Sequence, residues 1–584
     1  MLKLAQRVLL RATGVIDRQL GWWRLPRPAS LLVLGGIRET LRESNLFDPD
    51  TASFPSGDRE PLPRDRSLFR SYDGSGTSLR QREMGAAGAV FGRNVPVPTL
   101  TPTGVLTPNP RTVSRELLAR SEFRPATTLN VLAAAWLQFQ IHDWLSHEPP
   151  KGPPWKVPLD ADDSWPERPM LVYRTPPAHP GGPANVFRNT ETHWWDGSQL
   201  YGSTEEIGSA LRVFEGGRMR LTDDDLVPFD PNSGKDLAGV TGNWWLGLAM
   251  LHTLFLREHN SICEMLESEH PTWSDDELFN HARLVNAALM AKIQTLDWSM
   301  AVVANKAMQV PLMANWWGLV GERVTRNIGR LSSLDLVSGV PGSHADLFGV
   351  PYTITEEFVS VYRMHQLLPD DYVLRDHLDH HVLQELTFGD LSLGSTRKVL
   401  DSVAMDDLIY SFAQSNPGVI GLHNYPRALT TFRKPDGTII DLATIELVRD
   451  RERGVPRYNE FRRKFHLTAA DRFEDISKDP AVVEQLSRIY AAPDEVDLTV
   501  GLLAEEPVAG FAFSDTAFRM FTLMATRRLK SDRFFTEDYR PEVYTQAGLA
   551  WVAENSMRSV ILRHYPSLAD SLRGVENPFK PWGG

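Results

Sequence analysis

The chain has 584 residues, 42% of them hydrophobic and 23% charged, with 74 acidic against 62 basic side chains. This composition excludes a disordered, fibrous or low-complexity protein, and the net charge of -12 argues against a general nucleic-acid binder. A single cysteine excludes a disulfide framework and any cysteine-rich zinc or iron–sulfur site, which leaves the 16 histidines as the chemistry to follow.

Residues 1–45 read as a helical segment. Leu2, Leu4, Val8, Leu9 and Ile16 share one face, and Lys3, Arg7, Arg11 and Arg18 interrupt the apolar run. No stretch reaches the ~20 apolar residues of a membrane span, and no secretory cleavage site follows. The segment is either a docked terminal helix or an interfacial helix that touches a bilayer. Residues 46–115, rich in Pro, Gly, Ser and Asp, read as irregular wrapping. Helix is expected over 112–147, followed by a second irregular insertion over 148–190, dense in proline. Helix resumes over 205–222, 239–270 and 275–309, where Leu278, Ala282, Val285, Leu289 and Ile293 keep a 3.6-residue period. Further helix is expected over 355–367 and 385–415. There is no βαβ rhythm, no run of alternating strands and no repeat. The expectation is a mainly α chain with one catalytic body, 46–584, behind the N-terminal segment.

Two segments hold the histidines of interest. In NVLAAAWLQFQIHDWLSH (130–147), Val131, Ala134, Ala135, Gln138 and His142 recur at three- and four-residue steps. Gln138 then lies one turn before His142 on an alanine-rich face that a flat partner could approach. A histidine on such a face is more often a satisfied core residue. In TITEEFVSVYRMHQLLPDDY (353–372), Thr355 resembles a helix start and Pro369 a stop. Tyr362 and His365, three apart, are expected to share a face. That spacing suits a redox phenol beside a metal-ligating imidazole, and equally a core Tyr and a core His.

Longer stretches decide the matter. GAVFGRN (88–94), NVLAAAWLQFQIHDW (130–144), WWDGSQLYGS (194–203), MANWWGLVG (313–321), GVPYTITEEFVSVYRMHQLLPD (349–370), DRERGVPRYNEFRR (450–463) and TRRLKSDRFFT (526–536) occur in this order. On these motifs the chain closely resembles the fatty-acid α-dioxygenases of plants and bacteria, within the animal haem peroxidase and cyclooxygenase superfamily. The resemblance runs from about Arg70 to Pro566. It implies a mainly α, animal-type haem peroxidase (cyclooxygenase-like) fold with long irregular insertions.

The resemblance also implies roles. His142 matches the distal histidine over haem b, Gln138 a distal-side glutamine, and His365 the proximal iron ligand. Tyr362 matches the tyrosine that becomes the catalytic radical. Asn424, in LHNYP, is a candidate support for the proximal histidine. Asp143 matches a Ca2+ ligand, with Thr192, Asp196, Ser198 and the Trp194 carbonyl completing the oxygen set. No pair of carboxylates for ester links to haem is apparent, so the haem is expected to be non-covalent.

The implied reaction uses an activating peroxide, a long-chain fatty acid and O2. Tyr362 abstracts a hydrogen at carbon 2, and O2 adds there to give a 2-hydroperoxy acid. An ordinary haem peroxidase, or an oxygenase acting at another carbon, is the alternative. The carboxylate anchor departs from the family: Gln294 stands where the plant enzymes carry a histidine, and Ser299 where they carry a threonine. The family arginine falls on Arg528 or Arg533, with Arg527 a weaker candidate. The expected location is cytoplasmic, with peripheral contact at the inner face of the membrane.

Overall fold

In the computed structural model of the protein, which describes residues 2–49, 68–96, 104–179, 186–232, 234–434 and 437–583 and side chains from residue 10, helices form the frame. An N-terminal hairpin pairs α1 (Leu2–Leu20) with α2 (Arg27–Ser44). The centre is α3 (Val131–Ile141), α4 (Leu246–Glu269) and α5 (Asp275–Ile293). Then come α6 (Gln309–Trp317), α7 (Glu356–Val361), a ribbon of β1 (Asp371–Arg375) and β2 (Val382–Thr387), α8 (Met405–Gln414), α9 (Leu442–Glu452) and α10 (Asp515–Ser531). Strands within the described residues form only two-stranded antiparallel ribbons.

Helix α3 is apolar on nearly every side, which makes it a core helix rather than a surface one. Asn130 caps it by accepting from the Ala133 amide at 3.2 Å and anchors it by donating to the Pro578 carbonyl at 2.7 Å. It packs on α4, which packs on α5; Trp136, Phe139 and Phe255 meet with ring centroids 5.4–5.7 Å apart. Burying each such ring stabilises the fold by roughly 1.5–3 kcal/mol.

Several expected helices are shorter. The segment 112–147 breaks into a short helical stretch over 110–118, an irregular stretch and α3, which ends at Ile141 with His142 as its C-cap. Beyond it, Asp143 and Trp144 are drawn away by bonds to Ser198 and Asn189. The helix expected over 205–222 ends at Ala210, before Gly216 and Gly217 turn the chain at positive φ. In 275–309, α5 runs into one wide turn, Gln294–Trp298, in which both the Ser299 amide and its Oγ bond the Gln294 carbonyl. Residues 385–387 belong to β2, not to a helix.

The largest correction falls on α7. Tyr362 keeps helical angles, but Met364 (φ -111°, ψ 46°) does not, and His365 opens a short turn of its own, His365–Leu367. Tyr362 and His365 therefore do not share a helical face. The cause is tertiary: Arg363 between them reaches Asp450 at 2.5 Å and Glu446 at 3.7 Å, both on α9.

The hairpin docks on α10. Asp17 pairs with Arg519 at 2.8 Å, and the Trp22 indole donates to Asp515 at 2.9 Å. α1 and α2 cross where Gly36 has no side chain; a Cβ there would meet Thr13 Oγ1 at 2.1 Å. The expected apolar face at Leu2, Leu4, Val8 and Leu9 lies outside the described side chains, and Ile16 is exposed. Among the described residues no helix is long and apolar enough to cross a membrane.

Candidate active site

A cavity of about 580 Å³ opens between α2 and α6 and ends against α7 and α10. Its outer wall includes the exposed Leu32, Leu319 and Leu336; its inner end is Trp144, Phe358, Tyr362, Phe521, Gln294 and Arg528. The volume suits a small-molecule site.

Tyr362 lies at the inner end, packed by Phe358 at 4.3 Å and Phe521 at 4.5 Å between ring centroids. Burial pushes its phenol pKa up, with only Arg528 opposing, so it carries its proton at neutral pH.

Of the three candidate arginines, only Arg528 lines the cavity. Its Nη2 donates to the His193 carbonyl at 3.3 Å, while Nε and Nη1 are buried without a partner. Arg533 instead pairs with Asp538 and donates to the Thr77 carbonyl at 3.1 Å. Arg527 donates to the Val350 and Pro351 carbonyls at 2.9 and 3.0 Å. Gln294 lines the cavity with its Oε1 accepting from the Trp136 indole at 2.7 Å, which leaves the amide NH2 for a ligand. Ser299 also lines the wall, its hydroxyl proton directed at the Gln294 carbonyl.

The two histidines differ sharply. Both His142 ring nitrogens are buried with no side-chain partner; burial, with His252 adding and a backbone contact at Gly242 opposing, holds this imidazole well below its usual pKa. His365 Nδ1 lies 3.1 Å from Glu446 Oε1 and 3.5 Å from the Tyr425 hydroxyl. Tyr425 in turn donates to Glu446 at 3.0 Å. His365, the Tyr425 hydrogen bond and Arg363 outweigh burial and keep the Glu446 carboxyl below its usual range. Asn424 does not touch His365. It accepts from Arg120 Nε at 3.0 Å, and Arg120 donates to the carbonyls of Gln366 and Leu368, so any support it gives arrives through Arg120. Gln138 is likewise engaged elsewhere, accepting from the Trp245 indole at 2.8 Å and donating to the Asn243 carbonyl at 3.3 Å.

The animal haem peroxidase family matches residues 69–575. Alpha-dioxygenase PIOX of Oryza sativa is 35% identical over 97% of this chain and 94% of its own length, and that of Nicotiana tabacum 36% over 99% and 92%. The chain belongs to the fatty-acid α-dioxygenase family. Crystal structures from the family agree. A tyrosine-to-phenylalanine variant of the Oryza sativa fatty acid α-dioxygenase with palmitic acid superposes with a TM-score of 0.92, 34% identity and coverage of 99% of this chain and 97% of that one. The Arabidopsis thaliana enzyme gives 0.92, 32%, 99% and 93%. Peroxidase A from Dictyostelium discoideum, at 22% identity and a TM-score of 0.66, shares the fold.

Family membership implies haem, and the residues present fit it. His365 is held at Nδ1 by a carboxylate, the arrangement that frees Nε2 to ligate a metal. His142 offers an imidazole with no side-chain partner in a dry environment. The side chains expected to hold a hard cation are linked to one another in pairs. Ser198 Oγ donates to Asp143 Oδ2 at 2.6 Å, Thr192 Oγ1 to Asp196 Oδ2 at 3.0 Å, and Asp143 Oδ1 is buried with no partner. Burial pushes the Asp143 carboxyl up to about 8; Asp196 adds to the rise, and Ser198 and Arg528 oppose it. Two carboxylates and two hydroxyls in so dry a place are an oxygen set suited to Ca2+. Trp194 lies in the same loop, its indole donating to the Met84 carbonyl at 3.1 Å.

Sequence reading missed Glu446 and Tyr425 at His365, and Trp144 and Trp195 around Arg528. Both tryptophans were visible in the HDW and HWWD motifs; Glu446 carried no local signal.

Proposed function

We propose that the protein is a haem-dependent fatty-acid α-dioxygenase that converts a long-chain fatty acid and O2 into the 2-hydroperoxy acid. The observation that carries this reading is one apolar cavity whose inner end holds both a protonated phenol, Tyr362, and a buried guanidinium with unpartnered nitrogens, Arg528. A carboxylate paired with Arg528, helped by the Gln294 amide, leaves carbon 2 as the first alkyl position beyond the anchor.

Haem held by His365 would supply the oxidising equivalent that removes an electron from the Tyr362 phenol. His142, neutral because it is buried, accepts a proton from an activating peroxide. The Tyr362 phenoxyl takes the hydrogen atom from carbon 2, restoring its O–H bond and leaving a carbon radical. O2 adds to that carbon, and the resulting peroxyl takes the phenol hydrogen back, which gives the hydroperoxide and regenerates the radical. Phe358 and Phe521 keep water from the phenol during this cycle. Ca2+ held by Asp143, Thr192, Asp196 and Ser198, with the Trp194 carbonyl, would fix the loop after α3 that carries His142.

Tyr362→Phe tests the reading. It should retain the haem absorbance of the parent and lose palmitate-dependent oxygen uptake and the 2-hydroperoxide by more than about 10³-fold. Oxygenation that persists in this variant rules out the radical assignment.

The lipid substrate also suggests how the enzyme is presented with it. Leu319 and Leu336 of the cavity wall, and Ile328, Leu331 and Leu334 of the same segment, are 48–70% exposed, and Leu32 of α2 lines the cavity too. Arg330 gathers the carbonyls of Ser338, Gly339 and Pro341, so this loop satisfies its polar groups inward and turns its aliphatic ones out. A patch of this kind fits peripheral contact of a cytoplasmic protein with a bilayer. Sedimentation with phosphatidylglycerol vesicles should carry the parent down and leave Leu331→Asp/Leu334→Asp in solution; equal sedimentation would exclude the contact.

A further inference from the structure

Arg528 is a buried cation that no carboxylate pairs with among the described residues; aromatic faces hold it instead. Its guanidinium carbon lies 3.2 Å from the Trp144 ring centroid and 5.2 Å from that of Trp195. The two indoles meet edge to face at 5.6 Å. Trp195 is fixed by its own indole, which donates to Gln140 of α3 at 2.9 Å. Trp144 is fixed by Phe358, stacked at 6.3 Å, and its carbonyl accepts from Asn189 at 2.7 Å. The Trp144 ring also lies 6.2 Å from that of Tyr362, so it touches the surroundings of both the cation and the phenol.

The chain positions of these partners matter. Trp144 follows Asp143 directly, and Trp195 precedes Asp196 directly; these are the two carboxylates of the oxygen-lined pocket. The third partner, the His193 carbonyl, lies between Thr192 and Trp194 in the same loop and also accepts from the Tyr352 hydroxyl at 3.0 Å. Trp144, Trp195 and the His193 carbonyl are therefore each covalently next to a residue proposed to hold the cation, while Tyr352 contacts Arg528 from outside that set. An indole face attracts a guanidinium without consuming its N–H donors, so a cation clamped this way keeps its nitrogens for a ligand.

We propose that Trp144 and Trp195 are positioning residues for the substrate carboxylate: they hold Arg528 in the corner formed by two perpendicular indoles, against the Trp144 ring, and a cation held by the adjoining carboxylates sets that corner. The proposal rests on the reading of the cavity as a fatty-acid site. It makes the metal pocket part of substrate recognition as well as a support for the distal histidine. It also accounts for two orphaned nitrogens on a buried guanidinium, an arrangement that is costly unless a ligand answers it.

The test compares an acid with an alcohol of the same chain length, because only the acid uses the guanidinium charge. Binding of palmitate and of hexadecan-1-ol is measured by calorimetry on the full-length, haem-loaded protein. Trp144→Leu should weaken palmitate by about tenfold while hexadecanol stays within about twofold, and Trp144→Phe, which keeps an aromatic face, should recover most of the loss. Trp195→Phe gives a milder change of the same kind and serves if Trp144→Leu fails to fold. Protein stripped of Ca2+ by a chelator, with metal content verified by atomic emission, should show the same acid-selective loss and regain affinity when Ca2+ is returned. Equal losses for acid and alcohol would make the tryptophans mere wall residues and overturn the proposal. Unchanged acid affinity in metal-free protein would overturn the coupling to the pocket. Failure of the parent to bind either ligand would instead defeat the fatty-acid reading on which the proposal stands.

Discussion

His142 and His365 are the same residue type at the ends of two helices, yet their surroundings prepare them for opposite work. His365 sits in a turn, its Nδ1 tethered to Glu446 at 3.1 Å with Tyr425 behind. Donation of Nδ1–H to a carboxylate fixes the tautomer, directs the Nε2 lone pair outward and raises its basicity, as a metal ligand requires. His142 ends α3 with no carboxylate on either nitrogen, and burial outweighs a backbone contact at Gly242 to disfavour its charged form. An imidazole tied to no carboxylate is suited to taking and returning a proton. The difference teaches that the partner of the second nitrogen, rather than the histidine itself, divides the ligand from the proton carrier.

Exchanging the two sites is the hardest test of that division. His365→Ala should lose haem on gel filtration, with the Soret band and oxygenation both gone. His142→Ala should keep the band and slow peroxide-dependent activation by about 10²–10⁴-fold. Retained haem in the first variant and lost haem in the second would reverse the assignments. A smaller effect probes the tether. Glu446→Gln preserves shape and removes the charge, so haem affinity should fall by roughly 10–100-fold and the potential of bound haem should rise. A potential equal to that of the parent would mean that Glu446 does not act on the bound iron through His365.

How much of this was legible in the sequence follows from the range of the interactions. The alanine-rich run and the step from Gln138 to His142 are local, and α3 forms with His142 one turn beyond Gln138. The face shared by Tyr362 and His365 was misread because the cause of the break, Arg363 drawn to Asp450 and Glu446, lies on α9, far along the chain. Glu446 itself looks like any charged residue of a helix until α9 is placed beside α7. The arginine cluster was visible, but only the cavity separates Arg528 from Arg533, whose charge is answered by Asp538 five residues on. The family motifs supplied the site residues; their mutual support depended on contacts that no spacing encodes.

The smallest expected effect is on pH, and it sharpens the contrast between the two histidines. An ordinary imidazole begins to charge near pH 6.5, but His142 is held well below that, so peroxide activation should stay level from pH 8 to about 6 in stopped-flow measurements. A fall centred on 6.5 would mean that His142 is not buried as described. Stability should move more than rate. Burial holds His147, His252, His259 and His281 at about 4 and His193 at about 3. Each takes a proton at about 6.5 when unfolded but not when folded, so the stability it contributes is present above 6.5 and is lost as pH falls toward 4. Between pH 7 and 5 that is about 2 kcal/mol for each imidazole. Asp143 and Asp297, raised by burial to about 8 and about 6, act in the opposite sense, since their folded forms hold protons that the unfolded chain has released. Among these seven groups the imidazoles outweigh the carboxyls, so their net effect is a melting temperature that drops from pH 7 to pH 5. Ca2+ should steepen the drop, because a cation keeps Asp143 ionised and removes its opposing contribution.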